Sequence, residues 1–123
     1  MIYLTGPYYH GNQNIRSARA TCINDCMVEL YNNSSSKDIF CDVIQKHVIN
    51  CVDSDARLGS FIKILANCEQ LIVYPLPGWE RDDHILRIRT AANTLGIQTT
   101  VMPVSRKHLE GTYAMVWSNL GGR

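Results

Sequence analysis

The amino-acid sequence predicts an α/β fold with a mostly parallel sheet of four or five strands. Short apolar runs that end in glycine or proline alternate, over 123 residues, with segments whose apolar residues recur every three or four positions, which is typical of alternating strands and helices. Residues 71–74 (LIVY) lack polar alternation, as expected for a central parallel strand covered on both faces. Together these observations indicate a single α/β domain that spans residues 1–123.

Composition and charge exclude several classes of protein. Twelve basic and eleven acidic residues give a net charge of +1, and the longest run of Lys or Arg is the pair Arg106 and Lys107. The sequence therefore lacks the basic stripe that binds a nucleic acid polymer. No apolar run approaches the roughly 18 residues that cross a bilayer, so no membrane partner is expected. Five cysteines without disulfide spacing indicate a reducing cytoplasm, and the scattered histidines suggest neither a metal site nor a cofactor.

The first strand and the first helix are predicted at the start of the chain. Residues 1–5 form an apolar run that Gly6 and Pro7 end in a turn. Asn14 is a good helix N-cap, and the apolar residues that follow it at helical spacing are Ile15, Ala18, Cys22, Cys26 and Leu30. Since free cysteine behaves as a small apolar residue, we interpret Cys22 and Cys26 as core residues.

Residues 38–52 fit two arrangements. Their two apolar runs predict either one strand each or a short helix followed by a strand. Ser54 or Asp55 is then expected to cap a second helix. Its inward row is Leu58, Phe61, Ile62 and Leu65.

The last third of the chain predicts two more helices around one strand. Asp82 or Asp83 is expected to cap the first of these helices, which Gly96 ends in a left-handed conformation. Its inward residues are Ile85, Ile88, Ala92 and Leu95. Residues 97–102 form a strand, and Ser105 is expected to cap a final helix. The inward residues of that helix are Leu109, Tyr113, Val116 and Trp117.

Two loops follow predicted strands and therefore lie where ligands bind in open α/β sheets. Residues 6–12 (GPYYHGN) lead into the first helix, whose free N–H groups suit a phosphate or a carboxylate, although glycine and proline are also ordinary turn residues. Residues 75–83 (PLPGWERDD) combine an aromatic side chain with four charges. Trp79 suits a nucleobase, Glu80 and Asp82 suit sugar hydroxyls, and Arg81 suits a phosphate. Alternatively, Trp79 plugs the core edge and the charges are solvated.

Three segments carry a resemblance to a known family: residues 1–7 (MIYLTGP), 76–80 (LPGWE) and 92–97 (ANTLGI). The pattern resembles the nucleoside 2-deoxyribosyltransferase-like superfamily, in particular its small and often phage-borne branch. The resemblance covers most of the chain and implies a Rossmann-like domain of three layers, with a nucleoside or nucleotide bound over the strand ends. It also implies a homo-oligomer in which a neighbouring copy completes each pocket.

The sequence departs from the family pattern at the catalytic position. Aligning residues 76–80 and 92–97 without a gap places Asp82 at the start of the helix motif and His84 where the family has a small glycine. Ile88 stands where the family carries the nucleophilic glutamate that attacks the anomeric carbon. An isoleucine cannot form that bond, and Ile88 continues the apolar row of its helix.

The resemblance and this departure lead to one preferred function and two alternatives. We expect a non-catalytic nucleotide-binding protein, and by the phage association a viral anti-defence protein that sequesters an ADP-ribose derivative or a cyclic nucleotide in the host cytoplasm. The first alternative is an N-glycosidase or 2-deoxyribosyltransferase that uses a displaced carboxylate, Asp82 or Asp83, with Asp53 and Asp55 as further acids. The second is a protein–protein module with an empty, shallow surface above the strand ends.

The expected ligand site draws on both loops. Its residues are Gly6, Pro7, Tyr8, Tyr9, His10, Asn14, Gly78, Trp79, Glu80 and Asp82. Tyr8 or Tyr9 would stack on one face of a base and Trp79 on the other. Asn14 and the neighbouring N–H groups would hold a phosphate, and Asp82 a ribose hydroxyl. His10 and His84 would each either donate to a phosphate or lie on the surface.

Overall fold

A computed structural model describes residues 1–33, 38–49 and 57–121. Its sheet has four parallel strands in the order β2-β1-β3-β4. The strands are β1 (Ile2–Thr5), β2 (Ile39–Cys41), β3 (Gln70–Val73) and β4 (Gln98–Val101). The predicted α/β class with a parallel sheet is confirmed.

Five helices flank the sheet within the described ranges: α1 (Gln13–Asn33), α2 (Asp42–Val48), α3 (Leu58–Leu65), α4 (Asp83–Leu95) and α5 (Thr112–Trp117). Single turns of 3-10 helix occur at Trp79–Arg81 and Arg106–His108. The predicted caps of α4 are confirmed. The Asp82 side chain accepts a hydrogen bond from the backbone N–H of Ile85, and Gly96 ends the helix with a φ of 73°.

Alternation along the strands divides the core into two layers, one on each face of the sheet. Leu4 and Ile72 pack with residues of α1 and α5. Tyr3, Leu71 and Val73 pack with residues of α3 and α4 on the other face. Because successive strand residues point to opposite faces, a run without polar residues is expected in a strand that is covered by helices on both faces. The prediction of β3 as a central strand is confirmed, and the three-layer arrangement follows from it.

Two predicted inward residues at the ends of elements are exposed instead. Leu95 is 46% exposed although Ile88 and Ala92, on the same row, are fully buried. With 13 residues, α4 is about 20 Å long, whereas a strand of four residues covers about 13 Å. The last turn of α4 therefore extends beyond the sheet. Leu109 is 40% exposed because it lies before α5, in the turn that ends at Gly111 (φ 62°).

The described part of the stretch 38–52, residues 38–49, departs from both predicted arrangements. A short strand, β2, comes first and α2 follows it directly, with Val43 and Lys46 pointing inward one helical turn apart. The apolar run 39–44 thus crosses the boundary between a strand and a helix, which its periodicity does not reveal. Residues 50–52 and the acids and caps considered at 53–55, namely Asp53, Ser54 and Asp55, lie outside the described residues.

Two further predictions concern single residues. Ser105 precedes the 3-10 turn rather than α5, because Gly111 separates that turn from the helix with a positive φ. Cys22 and Cys26 are 0% and 2% exposed, which confirms them as core residues.

Candidate functional site

A cavity of about 360 Å³ opens at the carboxyl ends of β1 and β3. In the strand order 2-1-3-4, this is the point at which the connections turn to opposite sides of the sheet, and ligands of α/β proteins bind there. The cavity is lined by residues of four segments: Tyr9, His10, Arg19, Gly78, Glu80, Arg81, Asp82, Leu120 and Gly121.

The structure brings the two predicted loops together in this cavity. Because β1 and β3 are parallel neighbours, with Thr5 opposite Val73, the loops that follow them begin side by side. Half of the predicted site residues line the cavity: Tyr9, His10, Gly78, Glu80 and Asp82. The two loops are in direct contact, since the backbone N–H of Tyr8 donates to Oδ2 of the Asp82 side chain at 3.4 Å.

Gly6, Pro7 and Tyr8 lie beneath the cavity and do not line it. A Cβ atom at Gly6 would collide with the Ile23 side chain of α1, so this glycine allows close packing of the strand end on the helix. Tyr8 is 1% exposed, and its hydroxyl lies 2.9 Å from Nδ1 of His47. These three residues form part of the core that supports the loop.

Trp79 packs on the other side of its loop from the cavity. Its ring joins the core layer of α3 and α4, and the guanidinium of Arg89 lies 5.6 Å from its centre. The expected pair of aromatic side chains, one on each face of a base, is therefore not formed. Among the described residues that line the cavity, Tyr9 provides the aromatic side chain.

Asn14 lies in a different depression, of about 150 Å³, together with residues of α5. The prediction of Asn14 as the N-cap of α1 is wrong, because the helix begins at Gln13 and is capped by Asn12. Oδ1 of Asn12 accepts a hydrogen bond from the N–H of Asn14 at 2.8 Å. The main-chain oxygen of Asn12 accepts a further bond from the N–H of Arg16. The phosphate position expected at this helix start is thus separate from the cavity.

Arg19 is the residue of the cavity wall that sequence reasoning missed. Its side chain is buried, and its Nη1 donates to the carbonyl of Tyr9 at 2.8 Å while Nη2 donates to the carbonyl of Pro77 at 3.1 Å. Burial lowers the pKa of Arg19, and the Asp82 carboxylate opposes that effect. A signal was present, because Arg19 falls on the apolar stripe of α1 between Ile15 and Cys22, where a charge is unusual.

The acidic residues of the second loop differ in what their carboxylates contact. Asp82 accepts from the N–H of Ile85 at 2.9 Å and from the N–H of Tyr8, so both of its oxygens are engaged. Asp83 is half-exposed and pairs with Arg87 at 2.9 Å on the outer side of α4. Glu80 is exposed at the cavity rim.

His10 connects the first loop to the end of the chain that the structure describes. Its Nδ1 accepts a hydrogen bond from the N–H of Asn12 at 3.0 Å. With that nitrogen as acceptor, the proton is on Nε2, which lies 2.9 Å from the carbonyl oxygen of Leu120. This bond holds the turn that includes Gly121 against the cavity.

A second polar cluster is buried next to the site, at the carboxyl end of β2. Asp42 is 0% exposed and accepts hydrogen bonds from the hydroxyls of Tyr3 and Thr5. Nε2 of His84 lies 2.9 Å from Oδ2 of Asp42, so the two expected roles of His84, phosphate donor or surface residue, are both wrong. Burial of this histidine follows from its position on the inner face of the first turn of α4.

Ile88, at the position where the resemblance places a glutamate, is 0% exposed in the core layer of α3 and α4.

No group of three His, Cys, Asp or Glu side chains in the described ranges is arranged to hold a metal ion. No helix among the described residues is long and apolar enough to cross a membrane. Comparisons with models of known protein families, with curated proteins and with solved structures gave no match.

Proposed function

We propose that this protein binds a small nucleotide-like ligand in the cavity at the ends of β1 and β3 and does not cleave it. The observation that carries the proposal is the composition of the cavity wall. Cationic groups of Arg19 and Arg81 face the same space as the acceptors of Glu80 and Asp82, and Tyr9 adds an aromatic ring. A nucleotide combines the matching groups: an anion, hydroxyl donors and a planar base.

The size of the cavity favours a mononucleotide. Ligand pockets usually measure about 300–1,000 Å³, and this cavity of about 360 Å³ is near the lower limit. In such a complex Tyr9 would stack on the base. Each carboxylate oxygen of Asp82 accepts one bond in the protein and has a second lone pair for a sugar hydroxyl.

The proposal of binding without cleavage rests on the carboxylates. Glycosyl transfer through a covalent intermediate needs a carboxylate free to attack the anomeric carbon. Ile88 has none, Asp82 is engaged as a helix cap, and Asp83 pairs with Arg87 away from the cavity. The exposed carboxylate of Glu80 is the acid that supports the alternative function, an N-glycosidase.

The test is calorimetric binding of the four nucleoside monophosphates, followed by chromatography of the incubated mixtures. We expect saturable binding of at least one nucleotide and its recovery unchanged. At 100 times the Kd, a ligand also adds about 2.7 kcal/mol to the free energy of unfolding. The Glu80→Gln variant keeps one acceptor oxygen for a ligand hydroxyl, so at saturating nucleotide it should still bind, with a lower affinity.

Two results would overturn the proposal. Release of free base by the native protein that Glu80→Gln abolishes would establish the N-glycosidase. Absence of binding for all four nucleotides would favour the protein–protein module instead.

For the cell, we propose that the ligand is a nucleotide-derived signal sequestered in the cytoplasm by a homo-oligomer, in a host cell if the protein is viral. Support for this part is the family resemblance alone. Light scattering with and without bound nucleotide tests the assembly, and a monomer in both conditions would contradict it.

A further inference from the structure

Arg19 is a buried cation on the wall of the cavity. It is 3% exposed, in the second turn of α1, where the neighbouring inward residues are Ile15 and Cys22. Burying a charge costs free energy unless a counter-charge or hydrogen bonds compensate for it. The partners of Arg19 therefore show what the cavity is built to receive.

The described part of the chain supplies Arg19 with dipoles but with no ion pair. Its two hydrogen bonds go to main-chain carbonyls, those of Tyr9 and Pro77. Within the described ranges, no carboxylate forms an ion pair with this guanidinium, and Nε has no hydrogen-bond partner. The influence of Asp82 is that of a nearby charge whose oxygens are engaged elsewhere. Two of five N–H groups are used.

The position of the guanidinium is fixed by the two loops of the site. One carbonyl belongs to the loop after β1 and the other to the loop after β3, so the side chain bridges both. Gly78 leaves the necessary room, because a Cβ atom there would lie 2.6 Å from Nη2 of Arg19. A cation held in place before the ligand arrives loses little conformational freedom on binding.

We infer that Arg19 is the counter-ion of an oxyanion on the ligand and determines specificity for a phosphorylated over an uncharged nucleoside. The inference rests on the proposed function for the identity of the ligand, and it moves the phosphate from the start of α1 to the cavity. Asn12 caps that helix start, and Asn14 lies in another depression. Arg81, at the exposed rim, is a weaker second cation.

The experiment compares each nucleoside monophosphate with its own nucleoside. We expect the phosphate to improve affinity by roughly 10- to 100-fold, the range of a hydrogen bond to a charged group. In Arg19→Gln, which removes the positive charge of this side chain, this ratio should fall towards one. The control variant Arg106→Gln removes an exposed charge that pairs with Glu110, and it should keep the native ratio.

A second measurement does not depend on a buried variant folding. The arginine Nε–H signals of the native protein are followed by NMR during titration with AMP, adenosine and inorganic phosphate. The Arg19 signal, assigned by its loss in Arg19→Lys or by through-bond correlation, should shift with AMP and phosphate and stay in place with adenosine. An unchanged signal while AMP binds would overturn the inference.

The outcomes separate the two proposals. Equal affinity for nucleotide and nucleoside would leave nucleoside binding in place and disprove the role of Arg19. A shift of the Arg19 signal with inorganic phosphate, without binding of any nucleotide, would support the anion site and disprove the nucleotide ligand. The same ratio of affinities in Arg19→Gln and in the native protein would also disprove the role of Arg19.

Discussion

Nε2 of His84 lies 2.9 Å from Oδ2 of Asp42, and neither side chain is exposed to solvent. The carboxylate also accepts the hydroxyls of Tyr3 and Thr5, and Lys46 of the next helical turn is 1% exposed. This cluster connects β1, the start of α2 and the start of α4. It therefore fixes α4, and with it the loop that carries the acids of the cavity, relative to the sheet.

Removal of the Asp42 charge should strongly destabilise the fold. We expect Asp42→Asn to lower the free energy of unfolding by about 3–5 kcal/mol, as found when one partner of a buried ion pair is removed, because the buried Lys46 would lose the attraction of this carboxylate. Urea denaturation measures the loss. Asp83→Asn, which breaks an exposed pair with Arg87, is the control and should cost less than about 1 kcal/mol. Equal losses in the two variants would contradict this role of Asp42.

The same carboxylate should make stability dependent on acid pH. Burial on its own would raise the pKa of Asp42, but Lys46, His84 and the hydroxyl of Tyr3 outweigh it and hold the pKa below its usual value. A lowered folded-state pKa stabilises the protein above the unfolded value, about 3.9 for aspartate, and that stabilisation is lost as the pH falls through the folded value. The difference in free energy of unfolding between the native protein and Asp42→Asn should be constant above about pH 5 and narrow below about pH 4. A difference that stays constant down to pH 3 would disprove the linkage.

Gly78 should be intolerant of a side chain for two independent reasons. Its φ of 93° is a left-handed conformation, and an added Cβ would lie 2.6 Å from Nη2 of Arg19. We expect Gly78→Ala to lower the free energy of unfolding by more than the roughly 1 kcal/mol of the backbone strain alone, and to weaken nucleotide binding if Arg19 moves.

Gly59 offers the matched control for this variant. It lies in α3, and no atom lies within 4 Å of an added Cβ. Because alanine is favoured over glycine in a helix by about 1 kcal/mol, Gly59→Ala should leave stability unchanged or raise it. If Gly78→Ala is as stable as Gly59→Ala, the close contact with Arg19 does not constrain this loop.

Local signals explain which parts of the fold were predictable. The caps of α4 were predicted because Asp82 and Gly96 each form their capping contacts with residues within about one helical turn in the sequence. The meeting of the two loops was predicted because parallel strands end at one edge of a sheet. The start of α2 was missed because Cys41, Val43 and Ile44 continue the apolar run of β2, and the change of period within so short a run is not detectable.

The parts of the site that sequence reasoning misplaced depend on tertiary packing. An aromatic residue in a loop suits either face of that loop, and Trp79 lies on the face that packs against α3 and α4. The burial of His84 was missed because its partner, Asp42, is 42 residues away in sequence. Arg19 was passed over because polar and apolar positions are mixed along α1. Only its contacts with the loops after β1 and β3 show its place in the cavity.

On the opposite side of the sheet from Asp42, a chain of hydrogen bonds connects three elements. The hydroxyl of Tyr74, directly after β3, lies 2.6 Å from Nδ1 of His108, and Nε2 of His108 lies 3.0 Å from Oδ2 of Asp25 on α1. The N–H of Ser105 donates to the same hydroxyl at 2.9 Å. When Asp25 is ionised and His108 is neutral, the Nε2–H of His108 donates to Asp25, and Nδ1 accepts a hydrogen bond from the hydroxyl of Tyr74. Each group in the chain then has a hydrogen-bond partner.

Removing the hydroxyl should therefore destabilise the protein and change its behaviour in alkali. We expect Tyr74→Phe to cost about 1–3 kcal/mol at pH 8, since the N–H of Ser105 and Nδ1 of His108 lose their partner. Burial raises the pKa of Tyr74 to about 12, so its contribution is complete below the unfolded value of about 10 and declines as the pH rises through the folded value. Urea denaturation between pH 8 and pH 12 should show a steeper alkaline decline in the native protein than in Tyr74→Phe. Tyr3 and Tyr113 also have raised pKa values. Because both are present in both proteins, the difference between the two stability curves reports on Tyr74. Parallel curves would show that the Tyr74 hydroxyl titrates as freely in the folded chain as in the unfolded one.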